Sequence, residues 1–153
     1  MIERILETMA DSGFTGKPED AARHHGFLGQ FANYFAEQLF SCGVTNVLGL
    51  GTDGCALAPQ LAHQLQNRQR KTVSFSLAQL LNGSRLEISP RDQQLLQQQE
   101  QKILVVSAVL PPRKEREAIL RTLSALGCVV AWAALRNQME NRPNLNIKNC
   151  TIV

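Results

Sequence analysis

Gly51, Thr52, Asp53 and Gly54 stand between the apolar run "TNVLGL" and the helical pattern "CALAPQLAHQLQ". Two glycines and a threonine between a strand and a helix let backbone N–H groups and the positive end of a helix dipole face an anion. Asp53 complicates that chemistry, because a carboxylate repels phosphate unless a divalent cation or a basic side chain lies between them. The same four residues also suit an ordinary tight turn with Thr52 or Asp53 capping the helix. Cys55, at the helix start, could act as a nucleophile if the dipole lowered its pKa. No histidine is placed to activate it, so a packing thiol is the expected role.

The second stretch is "ILVVSAVLPPRK", from Ile103 to Lys114. Its four leading apolar residues read as a buried strand, and the loop after it carries Ser107, Ala108, Pro111 and Pro112. Arg113 and Lys114 then open an amphipathic helix, "RKEREAILRTLSALG". Cations at a helix N-terminus oppose the dipole, which favours a functional reason such as attracting phosphate. The alternative is that they begin a solvated helix face. The adjacent His24 and His25 point in different directions on a helix and lack a third ligand, so no metal is expected. His63, among glutamines, is expected to face solvent. There is no Ser/His/Asp set, zinc motif or Walker loop, and no catalytic residue is assigned.

The elements that must position these residues follow from periodicity. Apolar residues at helical spacing predict a helix over Ile2 to Met9. A second runs from about Pro18 to Cys42, with Phe27, Phe31, Tyr34, Phe35 and Leu39 inward and Gly43 as the stop. Buried strands are predicted at Val47 to Leu50, Ile103 to Val106 and Val129 to Ala133, and "TVSFS" alternates as a strand should. "NGS" at Asn82 to Ser84 signals a hairpin turn, "RDQQLLQQQEQ" a polar helix or exposed turn, and "NIKNCTIV" one edge strand. Pro59 is placed near the first turn of the helix that starts at Cys55, where proline is tolerated. Strands joined by helical crossovers imply an α/β fold with a mostly parallel central sheet flanked by helices. Ligands in such sheets bind at the carboxyl ends of the strands.

At 153 residues the chain is expected to be one domain, with a helical region over 1–43 and an α/β core over 44–153. The net charge of +3 does not by itself predict nucleic-acid binding. Cys42, Cys55, Cys128 and Cys150 form no CxxC pair and read as reduced, buried thiols, which points to the cytoplasm. No apolar run is long enough to span a bilayer, and the N-terminus has acids where a signal peptide would be apolar. The terminal "CTIV" matches a prenylation pattern without a nearby polybasic run and is read as a chance match.

The order of these pieces resembles the type I phosphoribosyltransferases, most closely the orotate phosphoribosyltransferase branch. "ILETMADSGF" looks like that branch's N-terminal helix, and "VTNVLGLGTDGCALAPQLAHQL" like its first core strand, pyrophosphate loop and helix. "KILVVSAVLPPRKEREAILRTLSALGCVVAWAALRNQ" is similar to the strand, phosphoribosyl diphosphate (PRPP) loop, helix and next strand. The resemblance implies a phosphoribosyltransferase-like fold. In the family two acids follow the strand and hold the ribose hydroxyls, and a small-residue loop binds the 5′-phosphate. Here Ser107 and Ala108 stand at the acid positions, and Pro111, Pro112, Arg113 and Lys114 at the loop. Serine carries no charge, alanine accepts nothing, and proline has no N–H to donate. The stretch "SFSLAQLLNGSRLEIS" also holds a single basic residue, Arg85, where the family's mobile loop is rich in them.

The resemblance therefore implies a binding or regulatory module without transferase activity, taking a phosphate-containing small molecule or a protein partner. The candidate anion ligands are Gly51, Thr52, Asp53, Gly54, Ser107, Arg113 and Lys114, and no cofactor is expected. A divergent active transferase, using Mg with PRPP, is the first alternative. A nucleic-acid-binding regulator using "NRQRK" with Arg113, Lys114, Arg116 and Arg121 is the second, and the lack of interleaved aromatics speaks against it. A homodimer or scaffold role without a ligand stays open.

Overall fold

A computed structural model of the chain describes residues 25–81, 85–97, 101–137 and 144–146. The expected helix over Ile2 to Met9 and the start of the second lie outside them. The aromatic stripe of that second helix forms α1 (His25–Leu39), which a 3-10 turn (Phe40–Cys42) and Gly43, at φ 69°, bring to a stop. β1 (Asn46–Leu50) leads directly into α2 (Gly51–Gln69), and β2 (Ser74–Leu81) and β3 (Arg85–Ile88) follow. After α3 (Pro90–Gln97) come β4 (Lys102–Leu110), α4 (Arg113–Ser124), β5 (Cys128–Asn137) and β6 (Asn144–Asn146).

The six strands form one sheet in the order β3-β2-β1-β4-β5-β6. β1 pairs in parallel with both β2 and β4, and β4 in parallel with β5, so the three strongest apolar runs are adjacent as expected. The two outer pairs are antiparallel. β2 and β3 form the expected hairpin, with Leu81 opposite Arg85; its turn lies outside the described residues.

Each sheet face is buried under helices. On one face Phe31, Phe35 and Leu39 of α1 and Leu57, Leu61 and Leu65 of α2 pack with Val47, Leu104 and Val106. On the other, Leu96 of α3 and Ile119 and Leu123 of α4 pack with Leu48, Val105 and Trp132. Fully burying one such side chain contributes about 1.5 to 3 kcal/mol, so both layers hold the sheet. Strands covered on both sides carry continuous apolar runs, which is why β1 and β4 stand out in the sequence.

Four expectations are corrected. The helix after β1 starts at Gly51 rather than Cys55, so Gly51 to Gly54 are its first turn and not a preceding loop. Pro59 consequently lies inside α2, where its missing N–H removes one helical hydrogen bond. β4 continues to Leu110, since its pairing with β5 extends through Val109 and Leu110; of the expected loop from Ser107 to Lys114, only Pro111 and Pro112 lie between strand and helix. Cys128 is exposed, not buried, while Cys42 and Cys55 are partly buried.

α3 is polar, as its sequence suggests, but it is anchored. Ser89 Oγ accepts the Asp92 N–H at 3.2 Å, with Pro90 at the first helical position, and Asp92 Oδ2 accepts the Leu77 N–H of β2 at 3.1 Å.

Candidate functional site

β1 ends beside β4 with Leu50 opposite Ser107, and β4 runs on three residues further to Leu110. Each strand feeds a helix, and neither helix start has a side-chain cap: Leu50 is the cap residue of α2 and Pro112 that of α4. The first N–H groups of an α-helix have no intrahelical partner, so two sets of donors open at one edge of the sheet. Thr52 and Asp53 lie within the first turn of α2, so neither is its N-cap residue. Thr52 is exposed, and Asp53 places its carboxylate near the positive end of the dipole.

The tight connection from β1 to α2 depends on glycine. Gly51 has φ 76°, a left-handed conformation that suits glycine. A Cβ on Gly54 would collide with the carbonyl oxygen of Val106, and one on Gly49 would lie 2.6 Å from the carbonyl oxygen of Gly54. The first turn of α2 is thus seated directly on the backbones of β1 and β4.

Ser107, expected as a ligand, is a buried strand residue, 5% exposed. Its Oγ accepts the indole N–H of Trp132 at 2.8 Å, a buried contact. This pairing depends on an irregularity in β5. Ile103 is opposite Val129 but Leu104 is opposite Ala131, so Val130 is an extra residue. The shift sends Trp132 to the face shared by Val105 and Ser107. Sequence reasoning missed this pair, although a signal existed. A buried indole N–H needs an acceptor, and Ser107 is the polar side chain in the apolar part of β4.

Arg113 and Lys114 are exposed, and Arg113 Nε pairs with Glu117 Oε1 at 3.0 Å with 85% of its side chain exposed. The three strand steps from Ser107 put Leu110, the end of β4, about 10 Å beyond the Ser107 level, and α4 starts after Pro111 and Pro112. The seven candidate ligands therefore form two sets: Gly51 to Gly54 with Ser107 close by, and Arg113 with Lys114 farther out. The basic residues considered for nucleic acid also divide. Arg68, Arg70 and Lys71 lie at the opposite end of α2, away from α4 with its Arg113, Lys114, Arg116 and Arg121.

Cys55 Sγ donates to the carbonyl oxygens of Gly49 at 3.4 Å and Ala78 at 3.7 Å. Burial pushes the thiol pKa up, a backbone hydrogen bond at Ala78 opposes the rise, and the Asp92 carboxylate adds to it. A thiol held in its protonated form suits packing, not nucleophilic attack. His63 is exposed, with Nε2 3.4 Å from Asn67 Nδ2. Among the described residues no group of three His, Cys, Asp or Glu side chains is placed to hold a metal ion.

No protein-family model matches the sequence, and no curated protein matches it either. Solved structures do match. A purine phosphoribosyltransferase from Pyrococcus horikoshii Ot3 is similar with a TM-score of 0.55 and 15% identity, over 74% of this chain and 74% of its own. An adenine phosphoribosyltransferase from Rhodothermus marinus DSM 4252 is similar with a TM-score of 0.56 and 18% identity, over 76% of this chain and 70% of its own. The fold is that of the phosphoribosyltransferases.

Proposed function

We propose that this chain is a phosphoribosyltransferase-fold protein without transferase activity that binds a phosphate-bearing small molecule or a protein partner at the carboxyl edge of its sheet. The observation that carries this reading is the pair of uncapped helix starts, α2 and α4, at the ends of adjacent strands. Anions favour such positions, and a bound phosphate would offset the unfavourable placement of Arg113 and Lys114 on the dipole of α4. Gly51 to Gly54 supply N–H donors, Arg113 a guanidinium and Lys114 an ammonium. Ser107, committed to Trp132, contributes shape more than charge.

The missing transferase chemistry rests on the acid positions of the resembled family. Ser107 and Ala108 supply no carboxylate for ribose hydroxyls, and losing a charged partner costs about 2 to 5 kcal/mol per contact. The likeness to the orotate branch rests on "ILETMADSGF" and "VTNVLGLGTDGCALAPQLAHQL", and both orotate and purine bases belong in the assay. Cys42, Cys55 and Cys128 as thiols fit a reducing compartment such as the cytoplasm. Among the described residues no helix is long and apolar enough to cross a membrane.

The test combines turnover with binding. Purified protein with PRPP, Mg²⁺ and orotate, adenine or guanine is expected to release no pyrophosphate above background. Phosphate, ribose 5-phosphate or a nucleoside monophosphate is expected to raise the melting temperature at low salt, less so at high salt. Arg113→Ala is expected to reduce that shift with the fold intact. Turnover that is lost in Asp53→Ala would establish the active-enzyme alternative. A flat response to all anions at millimolar concentration would move the function to a protein partner or a homodimer.

A further inference from the structure

The run "NRQRK" is not used by either helix start at the carboxyl edge. It lies at the opposite, amino edge of the sheet, where α2 ends and β2 begins. There Gln66, Asn67, Arg70, Lys71 and Thr72 line a solvent-open cleft of about 370 Å³.

Three observations bear on what this cleft does. Arg70, with φ 55°, is the sole non-glycine residue at positive φ among the described residues. It occupies the position after a helix where glycine or asparagine is the ordinary choice. The helix dipole favours a cation near the C-terminus, but it gives no reason to place one on a left-handed backbone. Strain of this kind is a pointer to function when the surroundings enforce it.

The surroundings do enforce it. Gln66 holds the turn at both ends, its carbonyl oxygen accepting the Arg70 N–H at 2.8 Å and its Oε1 accepting the Val73 N–H at 3.1 Å. Arg70, Lys71 and Thr72 are thereby fixed at one surface. Neither Arg70 nor Lys71 forms an ion pair or a side-chain hydrogen bond among the described residues. Lys102, which opens β4 two strands over, adds a third cation to this edge. By contrast, Asp53 and Glu115 lie in the first turns of the helices at the carboxyl edge.

We infer that this cleft binds a phosphate group. The Arg70 guanidinium makes the bidentate contact, the Lys71 ammonium supplies further charge, and the Asn67 amide and Thr72 hydroxyl are placed to donate hydrogen bonds. None of the five lining residues is aromatic, so the phosphate and not a base is what is recognised. The group could belong to a nucleoside monophosphate or to a single-stranded nucleic-acid backbone. The site is separate from the carboxyl-edge site and stands whether or not that site binds.

The experiment uses the full chain at about 50 mM salt, where phosphate contacts are least screened. Binding of a fluorescein-labelled single-stranded DNA of about ten nucleotides is followed by polarisation. Binding of AMP and of inorganic phosphate is followed by calorimetry. At least one probe is expected to bind. Arg70→Gly should weaken it about tenfold or more, and Lys71→Ala should also weaken it. Both variants are read in the Arg113→Ala background, which removes the carboxyl-edge contribution to anion binding. Because glycine accepts φ 55° without strain, Arg70→Gly should not lower the melting temperature. AMP displacing the DNA would assign the site to small phosphate esters, and DNA binding that resists AMP would assign it to a strand backbone. Absence of binding by all three probes overturns the inference. So does undiminished binding in Arg70→Gly, or weaker binding accompanied by a lower melting temperature, which would make the guanidinium a structural prop.

Discussion

Ser107 and Trp132 show how one contact changes the meaning of a position. A serine after four apolar strand residues reads as a ligand when 107 is the first residue of a loop. It reads as core chemistry once the strand continues and the indole N–H is bonded to it. Leaving a buried donor without an acceptor costs about 1 to 3 kcal/mol. Ser107→Ala should therefore lower the unfolding free energy in urea by about that amount, and a change under about 0.5 kcal/mol would mean that the indole finds other partners. Cys55 gives a second residue-scale expectation. Its thiol is raised above the ordinary 9.0, first by burial. The folded protein holds the proton more tightly than the unfolded chain, so this contribution is complete below the ordinary value and is lost as pH climbs through the raised one. Stability should fall on the alkaline side more steeply in the wild type than in Cys55→Ala. At neutral pH iodoacetamide should modify the exposed Cys128 before Cys55; the reverse order would revive Cys55 as a nucleophile.

At the scale of elements, the strands and helices of the core were legible because burial on both faces writes uninterrupted apolar runs, and burial on one writes a helical stripe. Their ends were less legible, and for physical reasons. The start of α2 hides in "GTDG" because two glycines beside a strand signal a turn, whereas here they permit close packing against β1 and β4. The end of β4 hides because Ser107 looks polar and its partner arrives only through the bulge at Val130. The cleft at Arg70 was legible as charge, but its left-handed backbone was not. Gly54→Ala should be destabilising out of proportion to one methyl, by about 1 to 3 kcal/mol or more, since the added carbon meets backbone that cannot rotate away. Pro59→Ala should act in the other direction. An interior proline costs a helix up to about 3 kcal/mol, so a melting temperature several degrees higher is expected, with circular dichroism showing at least as much helix. A lower melting temperature would mean that the ring's packing outweighs the missing hydrogen bond.

On the scale of the whole molecule, β1, β4 and β5 each contribute side chains to both cores. Val47 and Leu48, Leu104 and Val105, and Ala131 and Trp132 point to opposite faces of the same three strands. Neither helical layer can then leave without stripping apolar surface from strands that the other layer also needs, so loss of one core should destabilise the second. Small domains with such shared contacts unfold in one cooperative step. Trp132 makes this measurable, because it is the single tryptophan of the chain, is 1% exposed, and sits in the layer of α3 and α4. Its fluorescence reports the packing of that layer, while far-ultraviolet circular dichroism is dominated by helices including α1 and α2 on the other face. Thermal and urea transitions followed by the two signals should coincide, and any anion that binds at the carboxyl edge should move both together, since both cores carry the strands that end there. A tryptophan transition that precedes the loss of helix would show that the layer of α3 and α4 opens on its own. The two helix starts would then belong to separately stable halves, and a ligand bridging them would bring the two transitions together instead of shifting a shared one.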